Sequence, residues 1–245
     1  REPAGRGGSA YIHNELAVGD TIGVGGPRNN FPLAPAPRYL FIAGGIGITP
    51  LIPMIAQADL MGLDWQLLYG GRTRSSMAFL DELAAYGDRV TIAPSDEFGL
   101  LDLRTWLTNA ETNTTKVYVC GPGALLSSVE ELCIGWPPGK LRTERFVPKQ
   151  QGTPVRSTAF NVELARSGLT VTVNPEASIL DAVRTASVNV LSSCREGTCG
   201  TCETTVLSGT PDHRDSILND DERAADDCMF ICVSRSRSDH LVLDL

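Results

Sequence analysis

Cys194-Arg-Glu-Gly-Thr-Cys199-Gly-Thr-Cys202 packs three cysteines into nine residues, and a fourth, Cys232, follows 30 positions beyond the last of them. The intervals of four and two residues, then a distant partner, match the C-x4-C-x2-C…C spacing with which thiolates reach both irons of a plant-type [2Fe–2S] cluster. Gly197 and Gly200 carry no side chains and Thr198 and Thr201 are small, so backbone N–H groups can approach the sulfides. Such hydrogen bonds favour the reduced, more negative cluster. Structural zinc is the competing reading, but zinc prefers paired C-x2–4-C knuckles and this chain has one such pair. A disulfide suits the crowded loop poorly, because seven cysteines is an odd number and crowding of this kind in a reducing compartment marks a metal site. Cys194, Cys199, Cys202 and Cys232 are therefore the expected iron ligands. Cys120, Cys133 and Cys228 fall outside the pattern.

The residues around this loop alternate. Phe160–Ala165 and Leu169–Val173 exchange apolar and polar positions across Ser167-Gly168, a hairpin signal. Ile179–Arg184 has helical spacing behind Ser178, a suitable N-cap. Strands are expected at Thr204–Leu207, Phe230–Val233 and Leu241–Leu245, with an acidic segment between the first two. A small mixed sheet packed on one helix follows, a β-grasp ferredoxin domain.

Upstream the pattern changes to strand–helix alternation. Buried-strand runs at Tyr39–Ala43, Trp65–Tyr69, Val90–Ala93 and Val117–Cys120 are interleaved with helical stretches at about Thr49–Leu60, Met77–Tyr86, Leu103–Leu107 and Ala124–Cys133. This predicts a doubly wound, mostly parallel α/β sheet. Phe31-Pro-Leu-Ala-Pro-Ala-Pro37 reads as a stiff connector before it. Pro148–Pro154, with few apolar anchors, reads as a linker after it.

The 245 residues suit two or three domains, and 42% hydrophobic with 20% charged content describes an ordinary globular chain. No run approaches the roughly 18 apolar residues of a membrane span, and no basic n-region with an apolar h-region opens the sequence. The expectation is a cytoplasmic protein that is neither exported nor membrane-bound. Net charge is −8, unevenly placed: 14 acidic against 7 basic residues from Ser157 onward, but 15 against 14 before it. That disfavours nucleic acid and suits a basic protein partner, while acidity that merely keeps the chain soluble is the plainer account.

Ala43-Gly-Gly-Ile-Gly-Ile-Thr-Pro50 follows a strand and opens a helix, where backbone amides can face a pyrophosphate. Alone such a turn is a weak signal. Cys120-Gly-Pro-Gly123 adds a second turn at the same sheet edge, where ligands of such folds collect. With Tyr69-Gly-Gly-Arg72 and the C-terminal cysteines, these motifs resemble the phthalate dioxygenase reductase family, to which vanillate O-demethylase reductases belong, over essentially the whole chain. The resemblance implies the order FMN domain, NAD domain, ferredoxin domain. It places NADH across Gly45, Gly47, Thr49 and Pro50, with nicotinamide near Cys120 and Gly121 and the ribose or phosphates near Arg72 and Arg74. Thr49 and Cys120 become the residues nearest the hydride chemistry. Glu144 either faces the nicotinamide amide or is a solvent-exposed strand glutamate.

Gly5-Arg-Gly-Gly-Ser9 resembles the family's FMN-phosphate loop, with Gly7, Gly8 and Ser9 meeting the phosphate, and Gly25–Pro32 resembles the exit from the flavin barrel. The family's Arg-x-Tyr-Ser motif, which grips the isoalloxazine, has no counterpart here, so the sequence is expected to begin inside the barrel. The implied organisation is residues 1–37 as the remnant of a flavin-binding β-barrel, 38–147 as the NAD domain, 148–157 as linker and 158–245 as the [2Fe–2S] domain. The implied activity is that of a reductase passing electrons from NADH through FMN to its cluster and on to a terminal oxygenase of the Rieske non-haem iron type. Two other classes remain in view: a fragment acting only as an electron carrier, and an iron–sulfur redox sensor. The sensor reading calls for a DNA-binding element, and no basic recognition helix is present.

Overall fold

The computed structural model describes residues 7–24, 28–108, 110 and 113–245. Helix α1 (Gly8–Asn14) is followed by β1 (Arg38–Gly44), a 3-10 turn (Gly45–Ile48), α2 (Leu51–Leu60), β2 (Asp64–Gly71), α3 (Leu80–Ala84) and β3 (Val90–Pro94). Then come α4 (Ser95–Phe98), α5 (Leu103–Thr108), β4 (Thr115–Cys120), α6 (Gly123–Leu132) and β5 (Leu141–Glu144). The C-terminal part holds β6 (Phe160–Leu164), β7 (Leu169–Val173), α7 (Ile179–Thr185), β8 (Glu203–Ser208), β9 (Pro211–Asp212), α8 (Asp220–Ala225), β10 (Cys228–Phe230), β11 (Arg235–Ser236) and β12 (His240–Leu243).

The first sheet is parallel throughout, in the order β3-β2-β1-β4-β5. Helices cover both faces, so its central strands are buried on both sides. The twofold strand period divides β1 between two cores. Tyr39, Phe41 and Ala43 join Trp65, Tyr69, Tyr118, Leu51 and Ile55 on one face. Leu40 and Ile42 join Leu68, Val117, Val119, Leu126 and Val129 on the other. Each such fully buried large side chain contributes about 1.5–3 kcal/mol, so these strands anchor the glycine turns at their ends.

The second sheet runs β10-β8-β12-β6-β7, with β12 parallel to β6 and the remaining pairs antiparallel. Helix α7 packs Ile179, Leu180 and Val183 against Phe160, Val162 and Leu164, the inward positions of β6, in the expected β-grasp arrangement. Ser178 caps α7 as its position suggests, accepting from the Asp181 N–H at 3.1 Å.

Several boundaries differ from the sequence expectations. The helix expected over Met77–Tyr86 is confined to Leu80–Ala84, because Phe79 takes a left-handed φ of 63° and Met77 turns back to fill the space beside Gly71. The helix expected from Thr49 begins at Leu51, behind the 3-10 turn. The strand expected over Phe230–Val233 ends at Phe230, whose carbonyl accepts from the N–H groups of both Val233 and Ser234. Cys232 therefore lies in a turn, not a strand.

Among the described residues of the expected barrel remnant there is a helix and no strand, and Val18, Ile22 and Val24 are exposed. A strand needs a laddered neighbour, and none of the described residues of this segment supplies one. Residues 1–6 and Gly25–Pro27 lie outside the described residues. The proline-rich connector is held by two tyrosines instead of a ladder. Tyr118 Oη donates to the Pro32 carbonyl and accepts from the Ala34 N–H, while Tyr39 Oη donates to the Ala34 carbonyl and accepts from the Ala36 N–H.

A candidate iron–sulfur centre and nucleotide-binding edge

The cluster loop is shaped by backbone conformations that ordinary side chains resist. Arg195, Gly197 and Gly200 have φ of 58°, 70° and 74°. At Gly197 a Cβ would lie 2.6 Å from Val233 and 3.0 Å from the Asp215 Cα, so glycine is required for space as well as for φ. The resulting curl aims backbone donors at sulfur: the N–H groups of Glu196 and Thr198 both reach Cys194 Sγ at 3.4 Å, and that of Cys194 reaches Cys199 Sγ at 3.4 Å.

Cys194, Cys202 and Cys232 are buried, Cys199 is half-exposed, and all four thiols are unbridged. Burial pushes the Cys194 thiol up, but the N–H groups of Glu196 and Thr198 outweigh it and bring it down to about 6. Cys202 is lowered by a hydrogen bond from the Cys232 thiol, which rises in turn. Thiolates are the metal-binding form, and backbone N–H groups aimed at sulfur suit a thiolate-ligated centre. Among the described residues no group of three or more His, Cys, Asp or Glu surrounds a single ion. Of the four expected ligands, Cys194, Cys199 and Cys202 lie in the loop and Cys232 in the turn after β10.

Helix α7 steadies this loop from behind. Asp181 pairs with Arg195, and Arg184 donates to Ser192 Oγ at 2.6 Å and to the Val190 carbonyl at 3.3 Å.

At the other end, the carboxyl edge of the parallel sheet brings together most of the nucleotide residues named above. The strand order reverses between β1 and β4, and both glycine turns flank that point, the crevice where open α/β sheets hold ligands. They touch backbone to backbone. A Cβ on Gly47 would sit 2.2 Å from the Cys120 carbonyl oxygen, and one on Gly121 would sit 2.9 Å from the Gly44 Cα. Gly45 has a φ of 54° and open space around it. Thr49 donates its hydroxyl to the Ile46 carbonyl at 2.9 Å, closing the 3-10 turn ahead of Pro50.

Cys120 is fully buried at the end of β4, its thiol pushed up to about 12 by burial and by neighbouring Glu144. Glu144 pairs in register with Cys120, and burial raises its carboxyl too. It lines a cavity of about 280 Å³ with Asn29, Phe31, Leu33, Pro50 and Met54, so it is not the freely exposed strand glutamate of the alternative reading. Arg72 and Arg74 are exposed just beyond β2. The Arg72 carbonyl accepts from the Asp96 N–H at 3.2 Å, and Arg74 lies 3.6 Å from Glu97.

Gly7 takes a φ of 102° as the chain turns into α1. Gly7, Gly8 and Ser9, expected to meet the flavin phosphate, lie at the start of this short helix.

Sequence spacing gave no sign of a larger feature. A groove of about 680 Å³ separates α6 and the Cys133–Gly139 loop from residues His213–Arg223. The expected linker crosses it and is tied down by polar contacts. Lys149 pairs with Glu130 at 3.2 Å, its N–H donates to Ser216 Oγ at 2.9 Å, and Gln151 donates to the Arg214 carbonyl at 2.7 Å. The only advance signal was the polar composition of the segment.

Comparison with known proteins agrees with both halves. Residues 162–237 match the 2Fe-2S iron-sulfur cluster binding domain. The chain is 46% identical to phenoxybenzoate dioxygenase subunit beta of Ectopseudomonas oleovorans, over all of this chain and 76% of that protein. It superposes with a TM-score of 0.92, at 46% identity, on an intact type IV self-sufficient cytochrome P450 monooxygenase. All of this chain is covered there, but it spans about a third of that longer polypeptide. The solved structure of phthalate dioxygenase reductase, described as modular for electron transfer from pyridine nucleotides to [2Fe–2S], matches at 38% identity with a TM-score of 0.64, over all of this chain and 77% of that one. With 46% and 38% identity along this whole chain to phenoxybenzoate dioxygenase subunit beta and phthalate dioxygenase reductase, and with glycine turns at the sheet's switch point, the chain belongs to the phthalate dioxygenase reductase family and carries its [2Fe–2S] domain.

Proposed function

We propose that this chain takes electrons from NADH by way of FMN, loads them singly onto its [2Fe–2S] cluster, and delivers them to a Rieske-type oxygenase in the cytoplasm. The observation that carries this reading is the pairing, on one polypeptide, of the β1/β4 glycine crevice with a cysteine loop whose backbone N–H groups face the Cys194 and Cys199 sulfurs. FMN, when bound, converts the hydride pair of NADH into single electrons. The chain's own residues position the reactants. Gly45 and Gly47 let backbone approach the pyrophosphate, Thr49 and Pro50 set the helix start, Arg72 and Arg74 meet the ribose side, and Gly7, Gly8 and Ser9 hold the flavin phosphate. Cys120 and Gly121 close the crevice behind the nicotinamide, with Cys120 kept as a neutral thiol by its burial beside Glu144. The proposed domain limits are 1–37, 38–147 and 158–245, with 148–157 between them. Seven cysteines without a disulfide suit a reducing compartment.

Stopped-flow mixing of the flavin-loaded protein with NADH tests the route: flavin absorbance bleaches first and the cluster's follows. NADH is expected to give a higher kcat/KM for ferricyanide reduction than NADPH. A preference for NADPH would remove the nucleotide assignment.

Delivery to the oxygenase should depend on salt. The segment from Ser157 onward carries 14 acidic against 7 basic residues, and such a field steers a basic partner mainly through the association rate. Individual acids also have local duties: Glu222 closes the capping box of α8 and Asp226 pairs with His213 at 3.1 Å. Net charge still acts at long range, until salt shortens the Debye length from about 10 Å at 0.1 M to about 3 Å at 1 M. Electron transfer to the oxygenase is expected to slow between 0.05 and 0.5 M salt while flavin reduction by NADH holds steady. A flat transfer rate rules steering out.

The 0.92 TM-score favours a second acceptor, a haem monooxygenase domain. Reduction of a Rieske oxygenase and of a haem domain by the same preparation, compared side by side, separates the two.

A further inference from the structure

Between the nucleotide sheet and the cluster loop lies one short stretch, residues 29–34, gripped at both ends. On the sheet side Phe31 is buried and packs edge-on against Tyr118 with ring centroids 5.3 Å apart, and the Tyr118 hydroxyl holds Pro32 and Ala34. Tyr118 is two residues before Cys120, on the strand that ends at the glycine crevice. The Phe31 N–H donates to Asn29 Oδ1 at 3.1 Å, which fixes the turn that presents Asn30. On the cluster side the Asn30 amide donates to the Cys199 carbonyl at 3.4 Å. It lies so close to Gly200 that a Cβ there would come within 2.5 Å of Asn30 Nδ2. Cys199 is the most exposed of the four expected ligands, and the loop is held across the other flank where the Ser216 N–H donates to the Gly197 carbonyl at 2.9 Å. Ser216 in turn accepts from Lys149, which is paired to α6.

We infer that Asn30 is a positioning residue that latches the Cys199–Gly200 side of the cluster loop to the nucleotide-binding part of the protein, and so sets how fast the cluster is reduced. Its contacts on the cluster side are with the Cys199 carbonyl and Gly200. It acts through the loop backbone, and its amide suits the task because a donor is needed toward a carbonyl in a gap that only glycine leaves open. The inference rests on the electron route proposed above. NADH gives a hydride, two electrons and a proton, to the flavin; each oxidised cluster then takes one electron, so one NADH serves two reductions. Nothing in that balance changes when Asn30 does. Only the rate of the second step responds, because electron delivery is sensitive to the placement of the two centres.

The test uses the complete flavin- and iron-loaded protein with Asn30→Ala and Asn30→Asp. The second keeps the size of the side chain but loses the amide donor. Stopped-flow traces with NADH are expected to show cluster reduction slowed in both, by up to about a hundredfold if the loop shifts by about 1 Å. Flavin reduction should keep its wild-type rate. Iron content and the EPR spectrum after dithionite should match wild type, while amide hydrogen exchange across Gly197–Gly200 speeds up. These last readings separate positioning from simple damage, since a destabilised cluster would lose iron in proportion. Cluster reduction at the wild-type rate in both variants overturns the latch, and so does slowing accounted for entirely by lost iron. A wild-type protein whose cluster NADH fails to reduce would instead overturn the electron route itself.

Discussion

Replacing Cys232 with alanine is expected to leave the protein without an assembled cluster: iron and acid-labile sulfide fall to near zero, and the EPR signal that appears on reduction is lost. Cys232 is buried in the turn after β10, where its thiol hydrogen-bonds to Cys202, and alanine there removes one of the four expected ligands. Replacing Cys228, four residues earlier, should leave both counts intact. That residue lies on β10 and outside the C-x4-C-x2-C…C spacing, so its loss removes none of the four expected ligands. Metal analysis and EPR of protein produced anaerobically with ample iron decide the matter. Equal loss of iron in the two variants would refute the ligand assignment, and stoichiometric zinc in the wild type would refute the cluster.

The other large effect is expected at Gly47. Alanine there would bring a methyl group to 2.2 Å from the Cys120 carbonyl oxygen and 2.6 Å from the Gly121 nitrogen, both backbone atoms that cannot swing aside. The two glycine turns must separate, and overpacking of this kind costs about 1–3 kcal/mol. Stability should survive, because the strands beneath are anchored by cores on both faces of the sheet. The crevice should not. Reduction of the flavin by NADH is expected to fall by about a hundredfold, the order that displacement of a positioning element produces. The cluster, built on a different sheet, should still be reduced fully by dithionite. Stopped-flow kinetics beside a dithionite titration make the comparison. A wild-type NADH rate in Gly47→Ala would mean that nucleotide does not bind at the β1/β4 turn.

The cluster loop was legible because its chemistry is local. Four and then two residues between cysteines fix which sulfurs can share two irons, and the glycines that permit the curl are adjacent in sequence. The parallel sheet was legible for a similar reason: strands buried on both faces read as continuous apolar runs, and helices of an α/β unit lie between them. Boundaries were less legible where one residue's backbone overrules its neighbours' pattern. Phe79 shortens α3 by taking a left-handed φ, and the carbonyl of Phe230 ends β10 by accepting two N–H groups of the following turn, although Phe230–Val233 has the composition of a strand.

By itself, then, the sequence determined the class of both sheets and the presence of a [2Fe–2S] domain, since these depend on hydrophobic period and on the spacing of the cysteines. What it could not determine was how separate segments meet. That Glu144 lies beside Cys120 follows from the register of β5 on β4. That residues 148–157 form a strap across a groove follows from Lys149 pairing with Glu130 and from hydrogen bonds to Ser216 and Arg214. The contact of Asn30 with Cys199 joins positions 169 residues apart. Spacing and propensity carry no information about such pairs, because the energy that selects them comes from packing and hydrogen bonds that exist only after the chain has closed on itself.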